Sequence, residues 1–346
     1  MYTVSSVSSR GLGVLIPCKI KHKRRTSCSS CGKDFMKLQA LSHYNHDTDT
    51  RYGDCILLHD ATTLVVYDCG HKMHAKTVEQ FLLKNSSITT IYLVVSHNDS
   101  DHTDGMIELM EYLYENEYDV TLYSSLYLKS ARTVLKQFDD SRRTLSATKE
   151  HILETFDNIK EIVEKAEALG FSVKNAEVNA SFAGCVIVGP TEDEFSEVVA
   201  KAIEDGEVSH IEGETVMNAA SVQLKCTLDG QQTVILCGDA SPSYLHNLDI
   251  YQVIQLPHHG KLDNAEEIFN NLKSPYSKQF LVSDNTGSGE TSGGSDALIE
   301  YMKKEKMTPA HNTRYGVVHL PKSSFGSGGS TTQGVKLGEM DCKRWR

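Results

Sequence analysis

The chain has 346 residues, with 46 acidic against 35 basic side chains and a net charge of −11. Seven of the basic residues fall in the first 33 positions, which hold no Asp or Glu, so the remainder carries −18. A body this acidic argues against a protein that coats nucleic acid through broad phosphate contacts. With no apolar run near the roughly 20 residues that a membrane helix needs, a membrane partner is not expected either.

In chain order, residues 1–35 are basic and Ser-rich, with Lys19–Arg25 reading KIKHKRR, and are expected to form a disordered leader. The same composition is compatible with an organelle transit peptide. Cys28 and Cys31, with Cys18 and His22 upstream or His43 and His46 downstream, also have the Cys-x₂-Cys spacing of a zinc knuckle. Residues 36–320 read as one folded unit. The spacing predicts a first strand opening at Met36, a hairpin of Cys55–Leu58 and Thr63–Tyr67, a helix over Ala75–Lys84, a buried strand Ile91–Val95 and a helix over Asp104–Glu117. A long amphipathic helix is expected over Thr148–Ala168, stopped by Gly170. Beyond it, strands are expected at Cys185–Val188, Val222–Leu228, Thr233–Cys237, Tyr251–Gln255, Gln279–Val282 and Val317–Leu320. Helices at Asn264–Lys273 and Asp296–Lys304 fall between them. Residues 321–346 read as a flexible Gly/Ser-rich tail. Helices interleaved with paired strands imply an α/β class with layered sheets and helices outside. The nine cysteines are an odd number, and five (Cys55, Cys69, Cys185, Cys226, Cys237) lie in or beside apparent strands. They read as buried reduced thiols of a cytoplasmic enzyme.

Chemistry concentrates in Ser96-His97-Asn98-Asp99-Ser100-Asp101-His102, directly after a buried strand. His97, Asp99, Asp101 and His102 are four metal-ligand types within six residues, and leaving such groups unpaired inside a fold costs roughly several kcal/mol, which makes a cation the natural partner. The plain alternative is a capped loop, with Asp101 or Asp104 as N-cap. Two later strands also end in ligand types: Asp239 closes VILCGD, and His258 and His259 close VIQLPHH. Asp68, at the end of Thr63–Tyr67, is read either as an acceptor that fixes a ligand imidazole or as an ordinary turn carboxylate. His71 and His74 read as exposed loop residues or substrate contacts. Lys261, Arg314 and His311 read as surface groups, the first two also as anion binders. No Gly-x-Ser-x-Gly elbow and no phosphate-binding Gly-rich loop occurs. Gly287–Gly294 is Gly-rich but lacks the following Lys.

Taken together these segments resemble the metallo-β-lactamase superfamily, above all the branch related to the metallo-β-lactamase-like domain of ComEC-type DNA-uptake proteins. Tyr52-Gly53-Asp54-Cys55 resembles that branch's first Gly-Asp strand, and Asp68-Cys69-Gly70 its Asp-x-Gly segment. His97, Asp99, Asp101 and His102 fall on the signature His-x-His-x-Asp-His. Asp239 falls on the bridging Asp, Pro257-His258-His259-Gly260 on the Pro-His-His-Gly segment, and Thr313–Val318 on the final Thr…Gly strand. The resemblance implies a four-layer αββα sandwich, two mixed sheets flanked by helices, with metals at one edge. It further implies His97, Asp99 and Asp239 on one ion, and Asp101, His102, Asp239 and one of His258 or His259 on the other. His258 is favoured as the nearer to its strand.

Asp99 stands where the signature has its second His, and Asn218 where many members carry a further His. Oxygen donors in place of imidazole shift preference from zinc towards manganese or magnesium, so one or two Zn, Mn or Mg ions are expected. Such an ion lowers the pKa of bound water from 15.7 towards about 7, with Asp101 and Asp239 as catalytic carboxylates. The expected activity is a metal-dependent phosphodiesterase or nuclease acting on single-stranded nucleic acid or a nucleotide. Hydrolysis of a thioester, lactone or amide is the alternative, as is a metal-binding interaction module whose catalysis has lapsed.

Overall fold

Strands dominate wherever apolar, β-branched residues run between turn residues. The computed structural model describes residues 36–42, 53–125, 156–205, 210–211, 214–284 and 295–322, all within the larger of two compact units, Asp34–Arg346. One seven-stranded sheet runs Val318–Leu320 (β16), Lys37–Ala40 (β1), Ile56–His59 (β2), Thr63–Tyr67 (β3), Thr90–Val94 (β4), Asp119–Ser124 (β5) and Ser172–Asn175 (β6). The other runs His311–Asn312 (β15), Gln279–Val282 (β14), Val253–Gln255 (β13), Thr233–Leu236 (β12), Gln223–Thr227 (β11), Cys185–Gly189 (β8) and Ser181–Phe182 (β7). A two-stranded ribbon pairs His210–Ile211 (β9) with Glu214–Thr215 (β10). Each large sheet pairs antiparallel at one end and parallel at the other: β16 to β3 and β7 to β12 are antiparallel, β3 to β6 and β12 to β15 parallel.

Side-chain alternation builds the layers. Ile56, Leu58, Tyr67 and Val94 of the first sheet pack against Leu224, Val234, Leu236 and Val253 of the second. The intervening Leu57, with Val66, Ile91 and Leu93, points the other way. It meets helices Lys72–Lys84 (α1), Met106–Glu115 (α3), Asp157–Ala168 (α4) and Glu192–Asp205 (α5). Ile235, Ile254 and Phe280 on the far face of the second sheet meet Leu262–Asn271 (α7) and Asp296–Lys304 (α8). Two one-turn helices, Ser100–Thr103 (α2) and Val216–Ala219 (α6), sit among the loops. The result is the αββα sandwich of two mixed sheets that the sequence implied.

Among the described residues, β5, β6, β7, β9, β10, β15, α2, α5 and α6 escaped the sequence reading. Of the expected Thr148–Ala168 helix, Asp157–Ala168 is helical with Phe156 at its N-cap position, and residues 148–155 lie outside the described residues. Also outside lie the 1–35 leader, the zinc-knuckle residues Cys18, His22, Cys28, Cys31, His43 and His46, Tyr52, Gly287–Gly294, and the tail from 323. The five strand cysteines are buried free thiols. No helix among the described residues is long and apolar enough to cross a membrane.

Candidate metal centre

The parallel strands of both sheets end at the segments that carry the polar groups. Asp68 follows β3, Ser96 and His97 follow β4, Asp239 follows β12, His258 and His259 follow β13, and Ser283 follows β14. Backbone hydrogen bonds stitch these loops together: Asp54 N–H to Asp101 C=O at 2.9 Å, Cys69 N–H to His102 C=O at 3.0 Å, and Gly70 N–H to Asp54 C=O at 2.9 Å. The approach is close enough that a Cβ on Gly53 or Gly70 would lie 1.6 or 1.7 Å from the Asp101 carbonyl oxygen. Gly53 is also held at φ +54°, where glycine is favoured.

Three imidazoles turn the same nitrogen inward. Asp68 is fully buried and accepts from Ser96 N–H at 2.7 Å, from Ser96 Oγ at 2.6 Å and from His102 Nδ1 at 2.8 Å. Because the Ser96 hydroxyl spends its proton on Asp68, it accepts from His97 Nδ1 at 2.9 Å. His259 Nδ1 donates to the Ser283 carbonyl at 2.9 Å, with Asp54 Oδ1 beside it at 3.4 Å. The Nε2 atoms therefore face the centre. His102 Nε2 lies 3.4 Å from Asp239 Oδ1, and His259 Nε2 lies 3.2 Å from Asp101 Oδ2 and 3.8 Å from Asp239 Oδ2. Among the described residues, the buried Nε2 atoms of His97 and His102 have no hydrogen-bond partner.

Donor atoms of His97, His102 and Asp239 all lie within 4.8 Å of one another, as do those of Asp54, His102 and His259, and all five residues are buried. Asp239 presents one oxygen towards His102 and the other towards His259. Imidazole nitrogen with carboxylate oxygen is a donor mixture that fits a divalent cation of borderline hardness, and orphaned buried nitrogens are the atoms that such an ion would satisfy.

Charges within the cluster shift its titrations strongly. Burial opposes the imidazolium of His102, yet the Asp239 and Asp68 carboxylates hold its pKa well above the usual value. Burial opposes His259⁺ as well, and Asp239, Asp101 and Asp54 raise it. Burial would also raise the carboxyl groups, but the hydrogen bond from His259 and the charge of His102 pull Asp101 below its usual range. His102 and His259 do the same for Asp239.

Several residues sit differently from the sequence expectation. The ring of the second His of the pair reaches the cluster. His258 is half-buried and contributes its backbone N–H to Asp239 Oδ1 at 3.1 Å. Both residues are left-handed, at φ 52° and 55°, and that tight turn brings the His259 ring in among the donors. Asp99 stands at the rim with its side chain 39% exposed, 3.8 Å from His97 Nε2. His102 groups with His97 and is not confined to a second set with Asp101. Asn218 is buried but ties to Thr215, whose hydroxyl donates to its Oδ1 at 2.8 Å. Its carbonyl accepts from Ser221 Oγ, which in turn accepts from Asp239 N–H at 3.2 Å, so it borders the site through Ser221. His74 is fully buried within α1 and His71 caps that helix, so neither is an exposed loop group. Arg314 is engaged by Asp284 and Asp296, and His311 by Gln279 at 3.0 Å. Asp54 was read only as part of a strand motif. The signal available was a lone acid beside glycine at the head of an apolar run, CILL.

No family model matches the sequence, and no curated protein matches it. Among solved structures the chain is similar to the metallo-β-lactamase fold protein YhfI from Bacillus subtilis, at 12% identity and TM-score 0.36 over 76% of this chain and 98% of that one. It is similar to the short form of human tRNase Z at 12% identity and TM-score 0.35, over 81% and 90% of the two chains. A long-form RNase Z from yeast matches at 15% identity and TM-score 0.35, over 68% of this chain and 34% of that one.

Proposed function

We propose that this chain is a metal-dependent hydrolase of phosphoesters, with a phosphodiester in single-stranded nucleic acid or in a nucleotide as its substrate class. One observation carries the reading: His97, His102 and His259 each tie Nδ1 outward, with His102 Nε2 turned to Asp239, His259 Nε2 to Asp101, and His97 grouped with His102 and Asp239. Outer acceptors that fix ring orientation in this way accompany metal-binding histidines. His97, His102 and Asp239 would hold one cation, and His259, Asp101 and the other Asp239 oxygen a second. Ser96, Asp68 and Ser283 act as the acceptors behind the rings. A divalent ion held there would make hydroxide available from water at neutral pH.

The protein's own groups then have distinct tasks. Asp101 accepts a hydrogen bond from the attacking water and orients it. Asp239, clamped by the His258 and Ser221 contacts, holds its two oxygens in place without reorganising. Asp99, at the exposed rim, repels anions unless a cation offsets it. The phosphoester preference is supported by the resemblance of the Gly-Asp, Asp-x-Gly, His-x-Asp-x-Asp-His and Pro-His-His-Gly segments to the DNA-uptake branch, and the acidic body favours a small or single-stranded substrate.

Purified protein loaded with Zn²⁺, Mn²⁺ or Mg²⁺ should hydrolyse bis(p-nitrophenyl) phosphate, single-stranded DNA or RNA. Asp239→Ala should lower the rate by about 10²-fold or more. Metal-loaded protein that turns over none of these overturns the phosphoester reading. Turnover of a thioester or lactone in the same tubes would move the chemistry to carbon.

A further inference from the structure

A buried polar network lies on the Nδ1 side of His259. The ring donates to the Ser283 carbonyl at 2.9 Å, and the N–H of that same peptide group, belonging to Asp284, donates to the Thr313 hydroxyl at 2.8 Å. A single planar unit is thus held at both ends. Around it, Ser295 Oγ donates to Asp284 Oδ2 at 2.7 Å, and Asn312 Nδ2 donates to Ser295 Oγ at 2.7 Å. Arg314 Nε stands 2.7 Å from Asp284 Oδ2. Asn312 also caps the turn that carries Thr313, its Oδ1 accepting from Arg314 N–H at 2.8 Å. Asp284, Ser295, Asn312 and Thr313 are all buried. Such a network adds little net stability, since desolvation offsets most of what its bonds return, but it fixes geometry firmly.

We infer that Thr313 is a positioning residue for the His259 imidazole, acting through the Ser283–Asp284 peptide; the inference rests on reading His259 as a cation ligand. The Thr313 hydroxyl holds the peptide so that its carbonyl meets Nδ1–H in line, which aims Nε2 between Asp101 and Asp239. Asp54 flanks the same Nδ1 at 3.4 Å, too far to set the ring's plane alone. Hydrogen bonds in series strengthen one another, so loss of the hydroxyl is felt at the ring, two bonds away.

Thr313→Val removes the acceptor while keeping the branched shape, and Thr313→Ser restores it. Mn²⁺ and Zn²⁺ affinity, read by competition with a chelating dye, should fall about ten-fold in Thr313→Val and recover in Thr313→Ser. In a His259→Ala background the same valine substitution should change affinity less than about two-fold, because the relay then has no terminus. In metal-free protein, the His259 Nδ1–H resonance of imidazole-labelled chain should lose its protection from solvent exchange in Thr313→Val only. Unfolding midpoints in chelator check each fold, and Thr313→Ala replaces the valine variant if that one does not fold. Equal affinity losses in both backgrounds, or unchanged affinity and exchange, overturn the inference. If the wild-type chain binds neither ion, the ligand reading fails, and the exchange measurement decides the role of Thr313 alone.

Discussion

Asp68 shows how much one side chain can organise. It takes a left-handed conformation at φ 60°, is fully buried, and accepts three hydrogen bonds, one of them from His102. Asn tolerates the same backbone but faces those donors with an amide. Asp68→Asn is therefore expected to weaken metal binding 10–100-fold, as measured by dye competition, with the fold retained. The titrations also have a definite sign. His102 and His259 are raised, so the stabilisation they give the metal-free protein is complete below their unfolded value of about 6.5 and is lost as pH rises through the elevated values. Asp101 and Asp239 are lowered, so theirs is present above about 3.8 and lost only as pH falls through the depressed values. Calorimetry in chelator should show the unfolding midpoint declining as pH rises above about 6.5. With Mn²⁺ present the decline should vanish, since the cation displaces those imidazole protons and binds better as they leave. At this scale the ligand types were legible, because His97, Asp101, His102 and Asp239 crowd strand ends. Which of His258 and His259 points inward was not, since it depends on two left-handed residues in a turn that spacing does not encode.

Among the elements, the loops pack more tightly than their composition suggests. Gly53 and Gly70 leave room for the Asp101 carbonyl, and that contact brings the strand ends of Asp54 and Asp68 against the Asp101–His102 turn. Gly70→Ala places a methyl 1.7 Å from backbone oxygen, a clash that no rotamer relieves. A loss of about 2 kcal/mol or more is expected in urea unfolding, together with weaker metal binding. An unchanged midpoint would mean that the loop moves aside freely. Asn98 adds a tie of another kind. Its Oδ1 accepts from Ile159 N–H at 2.9 Å, and Asn158 Nδ2 donates to its carbonyl at 2.6 Å, so the start of α4 is anchored on the His97–Asp99 loop. Strands β4, β12 and β13 were readable as continuous apolar runs, because sheet and helix layers cover both their faces. β6 was not: SVKN alternates exposed with half-buried positions at a sheet edge, and no apolar period marks it. α5 does carry an apolar stripe in Phe195, Val198, Val199 and Ala202, set between the acidic residues that open the helix and the acidic stretch that follows it.

For the whole molecule, strand order was beyond what spacing alone could settle, since β16 closes the first sheet beside β1 across nearly the full length of the folded unit. The layer arrangement came instead from the resemblance carried by the motifs, and burial on both faces of each sheet bears it out. The architecture explains why one edge collects the chemistry. Strands β3 and β4 of one sheet and β12 to β14 of the other all end in polar loops there, and a rigid sandwich holds those loops within bonding distance. The metal content of dialysed protein tests this most directly, measured by elemental mass spectrometry after incubation with Zn²⁺ and Mn²⁺, beside a His102→Ala variant of matching helix content. The expected result is at least one tightly held ion per chain in the wild type and a marked loss in the variant. A wild-type chain that retains no divalent ion, or a variant that retains as much, would contradict it.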